Sequence, residues 1–307
     1  MKVYDRESKL VSFCNRATIF PEGEDFKNIT IGGAYVKKNG VWVPETVFYY
    51  NGNEMEKREM DGGRSKVYEI KYEDKAFAVK ELNEDEYKKE WKMFQLINYN
   101  DCGFIYGYSN DDLNPYIIMN LTDGTLWDIS GNLSFDSCAA LVQDVASTLR
   151  CLFIGGGAYI DVKPANIGYC CLGNNEIKPI IIDVGDINDL RDDKYMYVPV
   201  STYPLWREGR VKAKIVGNTL EERKKSAEEH IVFQLGVLFF ILYQKNLSDS
   251  FAWNAELTEK EYNDWVQQLV DWIPKTEDIF ITVAKALQNP KTVKLEDFCK
   301  TTPCLKF

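Results

Sequence analysis

The residues best suited to chemistry lie together in one short stretch, Tyr159-Ile160-Asp161-Val162-Lys163-Pro164-Ala165-Asn166. A carboxylate, an amine two residues on and a carboxamide three further on share a single loop. An apolar run follows and ends in Ile180-Ile181-Ile182-Asp183-Val184-Gly185. There a second carboxylate stands at a strand end, before a glycine-containing turn. Phosphoryl transfer uses such a set: an Asp to orient the attacking hydroxyl, a Lys beside the moving phosphoryl group, and an Asn and a second Asp to hold Mg²⁺.

Other parts of the chain must position and complete these groups. Asp61-Gly62-Gly63-Arg64-Ser65-Lys66-Val67 reads as a glycine turn entering a strand. Such a turn lets backbone N–H groups approach phosphates. A hairpin through Tyr72-Glu73-Asp74-Lys75 leads to the strand Ala76-Phe77-Ala78-Val79-Lys80. Lys80 alternates with Ala78 on this apolar strand and faces inward, where an ammonium needs an anion. Residues 83–97 form a helix by their spacing, with Tyr87, Trp91 and Phe94 on one face. Glu90 is the first choice as partner of Lys80, and Glu86, one turn earlier, is the alternative. Two strands, Phe104–Tyr108 and Tyr116–Met119, flank the turn Asn110–Pro115, and Asn120-Leu121-Thr122-Asp123-Gly124 leaves the second.

Asp-x-Lys-Pro-x-Asn before Asp-x-Gly, with Ala78-Val79-Lys80 and a helical Glu upstream, resembles the motif set of eukaryotic-type Ser/Thr protein kinases. The resemblance runs from about Asp61 to the C-terminus. It implies an α+β, protein kinase-like bilobal fold, with a small β-rich N-lobe and a larger, mainly helical C-lobe. ATP and Mg²⁺ are the implied cofactors, held between the lobes. The implied division is 1–58 as a β-rich extension on the N-lobe, 59–120 as the N-lobe and 121–307 as the C-lobe.

In that likeness Asp161 is the catalytic base and Lys163 neutralises charge on the γ-phosphoryl group. Asn166 and Asp183 hold Mg²⁺. Gly62, Gly63, Val67, Ala78, Lys80 and Glu90 serve ATP. Met119 guards the back pocket, and backbone groups of Asn120, Leu121 and Thr122 meet adenine. Asp123 could reach the ribose or serve only its turn. Lys163 is typical of kinases acting on proteins, whereas small-molecule phosphotransferases of this type usually lack it. The implied reaction is ATP-dependent phosphoryl transfer to Ser/Thr hydroxyls of protein substrates.

The chain departs from the family pattern in several places. Of the usual glycine loop only the middle glycine is kept, as Gly62. Tyr159-Ile160 stand in place of His-Arg, so the usual Arg-dependent phospho-switch is not expected. Val184 replaces a Phe. Ser201–Glu208 resembles the substrate-docking end of the activation segment, yet no Arg follows Arg223 to pair with Glu208. Ile231 replaces the Asp that opens the central helix, which leaves His230 or Glu229 to anchor the catalytic loop. These departures keep two alternatives open: a pseudokinase scaffold that binds nucleotide and a partner protein, and a small-molecule kinase.

Bulk properties agree with a globular enzyme. The chain has 307 residues and is 45% hydrophobic, enough for a sizeable core. Its net charge of −10 argues against nucleic-acid binding; it suits an ordinary solvated surface and could also favour basic protein substrates. The eight cysteines form no Cys-x-x-Cys pair, and the start of the chain lacks a signal peptide's apolar core. Free thiols and a cytoplasmic location are expected. The divergence from cellular kinases suits a viral or intracellular-bacterial protein acting in host cytoplasm, with a host protein as partner. The apolar run Ile231–Tyr243 is too short to span a bilayer, so no membrane span is expected. The lone His230 is expected to be a core or capping residue.

In residues 1–58, strands are expected at Asn28–Ile31, Val41–Val43 and Thr46–Tyr50, with turns at Gly32-Gly33, Asn39-Gly40 and Asn51-Gly52. A helix is expected over Ser134–Phe153, capped by Ser134 and ended by Gly155-Gly156-Gly157. Two more lie over 258–273 and 277–287, with Trp265, Leu269 and Trp272, then Ile281, Ala284 and Leu287, as core stripes.

Overall fold

A computed structural model describes Lys2 and residues 28–60, 66–96, 116–172, 176–185, 187–192, 196–197, 214–215, 217–244, 258–274 and 277–299. The fold is α+β, with small antiparallel sheets and several helices. The chain divides into two compact units. One takes in Thr18–Gln95 and Ile105–Thr122, and the other Met1–Ala17, Leu96–Phe104 and Asp123–Phe307.

The first unit begins with a hairpin of β1 (Ile29–Lys38) and β2 (Val41–Tyr50), extended by β3 (Asn53–Glu54). Asn39-Gly40 and Asn51-Gly52 make its turns, all four residues at positive φ. Asn and Gly tolerate that region, which is why Asn-Gly favours tight hairpins. Gly32-Gly33 is not the turn expected from sequence; both glycines lie inside β1, opposite Val47 and Thr46. A Cβ on Gly32 would sit 3.0 Å from the Tyr49 ring, so the ring occupies the space a side chain would take.

A second sheet has the order β4-β5-β6-β7, formed by β4 (Glu56–Met60), β5 (Val67–Tyr72), β6 (Lys75–Glu81) and β7 (Tyr116–Asn120). The charged strand β4 lies at an edge, where charge discourages further pairing. It also carries the sheet across the 58/59 division drawn from sequence. Tyr68, Ile70, Phe77, Val79, Tyr116 and Ile118 cover one face and pack with Ile29, Phe48, Tyr50 and Met55 of the hairpin region. Lys57 ties the two layers together. Its Nζ donates to the Thr46 carbonyl at 3.2 Å and lies 4.4 Å from the centre of the Tyr68 ring. Burial and a hydrogen bond to Glu81 push the Tyr68 phenol well above its ordinary pKa. Helix α1 (Glu84–Leu96) follows β6.

The second unit is mainly helical. It holds β8 (Gly124–Thr125), α2 (Leu126–Ile129), α3 (Phe135–Ile154), β9 (Gly157–Tyr159), β10 (Ile167–Leu172), β11 (Glu176–Ile181) and β12 (Ile187–Asp189). The short pair β13 (Met196–Tyr197) and β14 (Lys214–Ile215) precedes α4 (Leu220–Tyr243). Then come α5 (Glu259–Asp271), α6 (Asp278–Gln288) and α7 (Leu295–Phe298). Strands pair as β11-β10-β8, β12-β9 and β13-β14. Ser134 caps α3 through its side chain, and Gly156 at φ +89° lets the chain turn away at the other end.

The core stripes of α5 and α6 differ from those expected. Tyr262, Val266, Leu269 and Val270 are buried in α5, whereas Trp272 is 54% exposed. In α6 they are Phe280, Val283, Ala286 and Leu287, with Ile281 exposed. Apolar residues at helical spacing fit two adjacent stripes here, and tertiary packing selects between them. Helix α4 is longer than its apolar run. By length and composition both α3 and α4 could cross a membrane, but 89% of the apolar window of α4 is buried within the protein. Core helices pass the same test. Cys138, Cys151, Cys170 and Cys299 form no disulfide among the described residues. Cys171 is disulfide-bonded, contrary to the expectation of free thiols throughout.

Two outcomes follow from this packing. Phe48→Ala should lower stability by about 3–5 kcal/mol in a denaturant titration, because the ring fills the layer between hairpin and sheet. Trp42→Ala, at a residue 63% exposed, should stay within about 0.5 kcal/mol of the parent. The second outcome concerns pH. Backbone bonds from Asn218 and Thr219 hold Glu222 below its ordinary pKa of 4.5 at the start of α4. That capping stabilisation is complete above the unfolded-state value and fades as pH falls through the lower folded one. The stability of Glu222→Gln should therefore fall less than the parent's when both are titrated from pH 6 to 3.

Candidate functional site

The β-rich unit presents two different faces. Opposed residues of an antiparallel pair share a face. The register pairs Val67 with Lys80, Lys80 with Ile117, and Ala78 with Met119. Val67, Ala78, Lys80 and Met119 therefore line the face opposite the cluster that packs on the hairpin. Lys80 reaches α1, where its Nζ lies 2.6 Å from Glu90 Oε1. Both side chains are largely buried, at 12% and 7% exposure, so each charge answers the desolvation of the other. Glu86 has a different task. It accepts from the Asn83 N–H while its own N–H donates to Asn83 Oδ1, closing a capping box at the start of α1.

Asn120, at the end of β7, pairs with Phe77 and belongs to the hairpin-facing side. Its carboxamide is buried, and Oδ1 accepts no hydrogen bond among the described residues. Leu121 and Thr122 follow, half-buried. Gly62 and Gly63 lie outside the described residues, as do Ser201, Thr202 and Glu208.

The helical unit gathers the remaining candidates. The Asp161 carboxylate is buried, and its Oδ2 accepts from Lys163 Nζ at 2.8 Å and from Asn166 Nδ2 at 2.6 Å. Asn166 Nδ2 also donates to the Asp161 carbonyl at 3.2 Å. Pro164 opens the short 3₁₀ turn Pro164–Asn166 that brings the carboxamide back over the carboxylate. From there the β10–β11 ladder leads to Asp183. Ile167 is opposite Ile181, and the Ile182 N–H donates to the Asn166 carbonyl at 3.0 Å. Asn166 and Asp183 thus sit at the same end of one two-stranded ladder. Asp183 Oδ1 accepts from the Gly185 N–H at 3.3 Å, and Val184 is buried.

The loop's anchor is a residue that sequence reasoning passed over. Beside the His230 and Glu229 named as candidates, Gln234 of the same helix grips the loop. Gln234 Nε2 donates to the Ile160 carbonyl at 2.9 Å, and its Oε1 accepts from the Val162 N–H at 3.2 Å. One side chain thereby grips the backbone on both sides of Asp161. The signal was present as a single polar residue inside the apolar run Ile231–Tyr243. A buried carboxamide needs partners of its own, and the loop supplies them. Asp123 also proves to be an anchor. Its Oδ2 accepts from the Cys171 N–H at 2.7 Å, and its N–H donates to the Tyr169 carbonyl at 2.9 Å.

The donor set suits a hard cation. Asn166 donates through nitrogen, which leaves its Oδ1 as ligand atom, and Asp183 adds a carboxylate. Mg²⁺ is ordinarily held by one or two such groups together with water and phosphate oxygens. Among the described residues no group of three His, Cys, Asp or Glu side chains could form a metal cage. No family model matches the chain, and no curated protein sequence does.

Gln234→Leu would strand the buried Ile160 carbonyl and Val162 N–H. Each unsatisfied group costs about 1–3 kcal/mol. The variant should lose about 2 kcal/mol or more in chemical denaturation, and hydrogen exchange at Val162 should accelerate.

Proposed function

We propose that this chain is a protein kinase-like phosphotransferase, moving the γ-phosphoryl group of ATP to Ser/Thr hydroxyls of protein substrates. The observation that carries the proposal is the closed arrangement of Asp161, Lys163 and Asn166 around one carboxylate oxygen, joined by the β10–β11 ladder to Asp183. In this reading the β-rich unit is the small lobe and the helical unit the large one. Asp161 accepts the hydrogen bond of the attacking hydroxyl and Lys163 offsets charge on the phosphoryl group. Asn166 and Asp183 would hold Mg²⁺, which supplies charge neutralisation to the phosphates. Lys80, steadied by Glu90, is the cation for phosphate oxygens. Val67, Ala78 and Met119 offer an apolar face to adenine, with backbone groups of Asn120 to Thr122 beside it and Gly62 and Gly63 near the phosphates. Such catalysis works through positioning and charge. The net charge of −10 favours basic protein substrates.

A second reading has an observation of its own. The Asp161 side chain is only 3% exposed, and Oδ2 is engaged twice. A pseudokinase that binds nucleotide and a partner protein could keep that arrangement permanently. A small-molecule kinase is disfavoured by Lys163.

Incubation of the purified chain with Mg²⁺, γ-labelled ATP and generic basic and acidic proteins separates these readings. Asp161→Asn should reduce label in protein by about 10²- to 10⁴-fold, the usual worth of a positioned general base. Asp183→Asn and Lys80→Met should abolish it as well. A nucleotide-induced rise in melting temperature without any labelled protein would instead favour the pseudokinase.

A further inference from the structure

Arg223 lies in the first turn of α4 and is only 9% exposed. Its guanidinium is spent on backbone carbonyls from two distant stretches. Nε donates to the Leu190 carbonyl at 2.9 Å. Nη1 donates to the carbonyls of Gly217 and Asn218 at 3.5 and 3.4 Å. Leu190 and Gly217 stand at the two ends of the segment 191–216. Both ends are held further. The Leu190 N–H donates to the Gly156 carbonyl at 2.9 Å, and the preceding β12 is zipped to β9, the strand that leads into Asp161. At the other end Asn218 donates to Glu222, and a Cβ on Gly217 would lie 2.6 Å from the Arg223 nitrogen. Only glycine lets the chain fold so closely over the start of α4.

Arg223, His230 and Gln234 follow one another at intervals of seven and four and so share one face of α4. The face that grips the Asp161 loop through Gln234 also fastens both ends of the following segment through Arg223. A buried guanidinium costs free energy unless its donors are satisfied, and here the carbonyls satisfy them.

We infer that Arg223 is a positioning residue for the acceptor side of the site: it locks Leu190 and Gly217–Asn218 in register with the Asp161 loop, and so sets how a protein substrate's hydroxyl is presented. This role presupposes the phosphoryl-transfer reading. It touches neither nucleotide nor the reacting atoms.

The test uses the full chain carrying Arg223→Met or Arg223→Lys, with hydrogen exchange and steady-state kinetics read side by side. In Arg223→Met, exchange in peptides covering 187–192 and 217–219 should accelerate about tenfold or more, the scale of losing charge-assisted hydrogen bonds. Exchange at Val162, held by Gln234, should not change. KM for a basic protein acceptor should rise about tenfold, while KM for ATP stays at the parent value. Arg223→Lys keeps the charge but loses the fork, and should fall between the two; it gives the measurement if the Met variant does not fold. Unchanged exchange at both ends would overturn the tie. Loosened ends with unchanged acceptor KM and kcat would reduce Arg223 to a purely structural residue. A parent chain that labels no protein at all would remove the phosphoryl-transfer reading and this role with it, while the exchange result would still report whether the ends are fastened.

Discussion

The grip of Gln234 on the backbone either side of Asp161 is the contact on which the shape of the Asp161 loop depends. The loop at Asp161 is buried yet pairs with no strand among the described residues, so its N–H and C=O groups must be met by something else. A glutamine offers one acceptor and an amide donor on a stem long enough to leave a helix. It therefore meets Ile160 and Val162 much as a neighbouring strand would. The helix that carries it is apolar and buried nearly all round from Ile231 onward, which fixes the position from which the side chain reaches. With the backbone held, the Asp161 carboxylate can be closed on by Lys163 and Asn166 without the loop collapsing into another shape.

Lys80, Lys163 and Arg223 show three ways of answering a shielded cation. Lys80 meets the carboxylate of Glu90 from a neighbouring helix. Lys163 meets Asp161 within its own loop. Arg223 meets carbonyl dipoles from both ends of a long segment. A point charge such as lysine suits a single carboxylate, whereas the planar fork of arginine can serve several acceptors at once. The choice of residue type at each place follows from the number and direction of the acceptors.

In the β-rich unit, the hairpin of β1 and β2 covers one face of the larger sheet. Aromatic and branched residues on one face are consumed by packing with Ile29, Phe48 and Tyr50. Val67, Ala78, Lys80 and Met119 lie on the other. Lys57 lies between the two layers, where the Tyr68 ring and the Thr46 carbonyl both stabilise its charge. The extension is thus part of the sheet's core.

Much of this was legible in the residues because it is local. Asn39-Gly40 and Asn51-Gly52 dictate their turns through their tolerance of positive φ, and Ser134 dictates the start of its helix through its own cap. Asp161, Lys163 and Asn166 come together because a proline-initiated turn spans them. Other features were illegible for an equally physical reason. Whether Gly32-Gly33 turns or extends depends on a tyrosine in the facing strand. Which stripe of α6 is buried depends on the helices beside it. The partner of the Asp161 loop stands 72 positions away, and no local pattern specifies which polar side chain of a buried helix will point at which carbonyl. The sequence by itself determined the turns, the caps and the chemical set of the loop, since these rest on bonds between near neighbours. Tertiary structure alone decided that Gln234 holds the loop in place and that Arg223 ties Leu190 to Gly217–Asn218, since hydrogen bonds between distant residues exist only once the chain has packed.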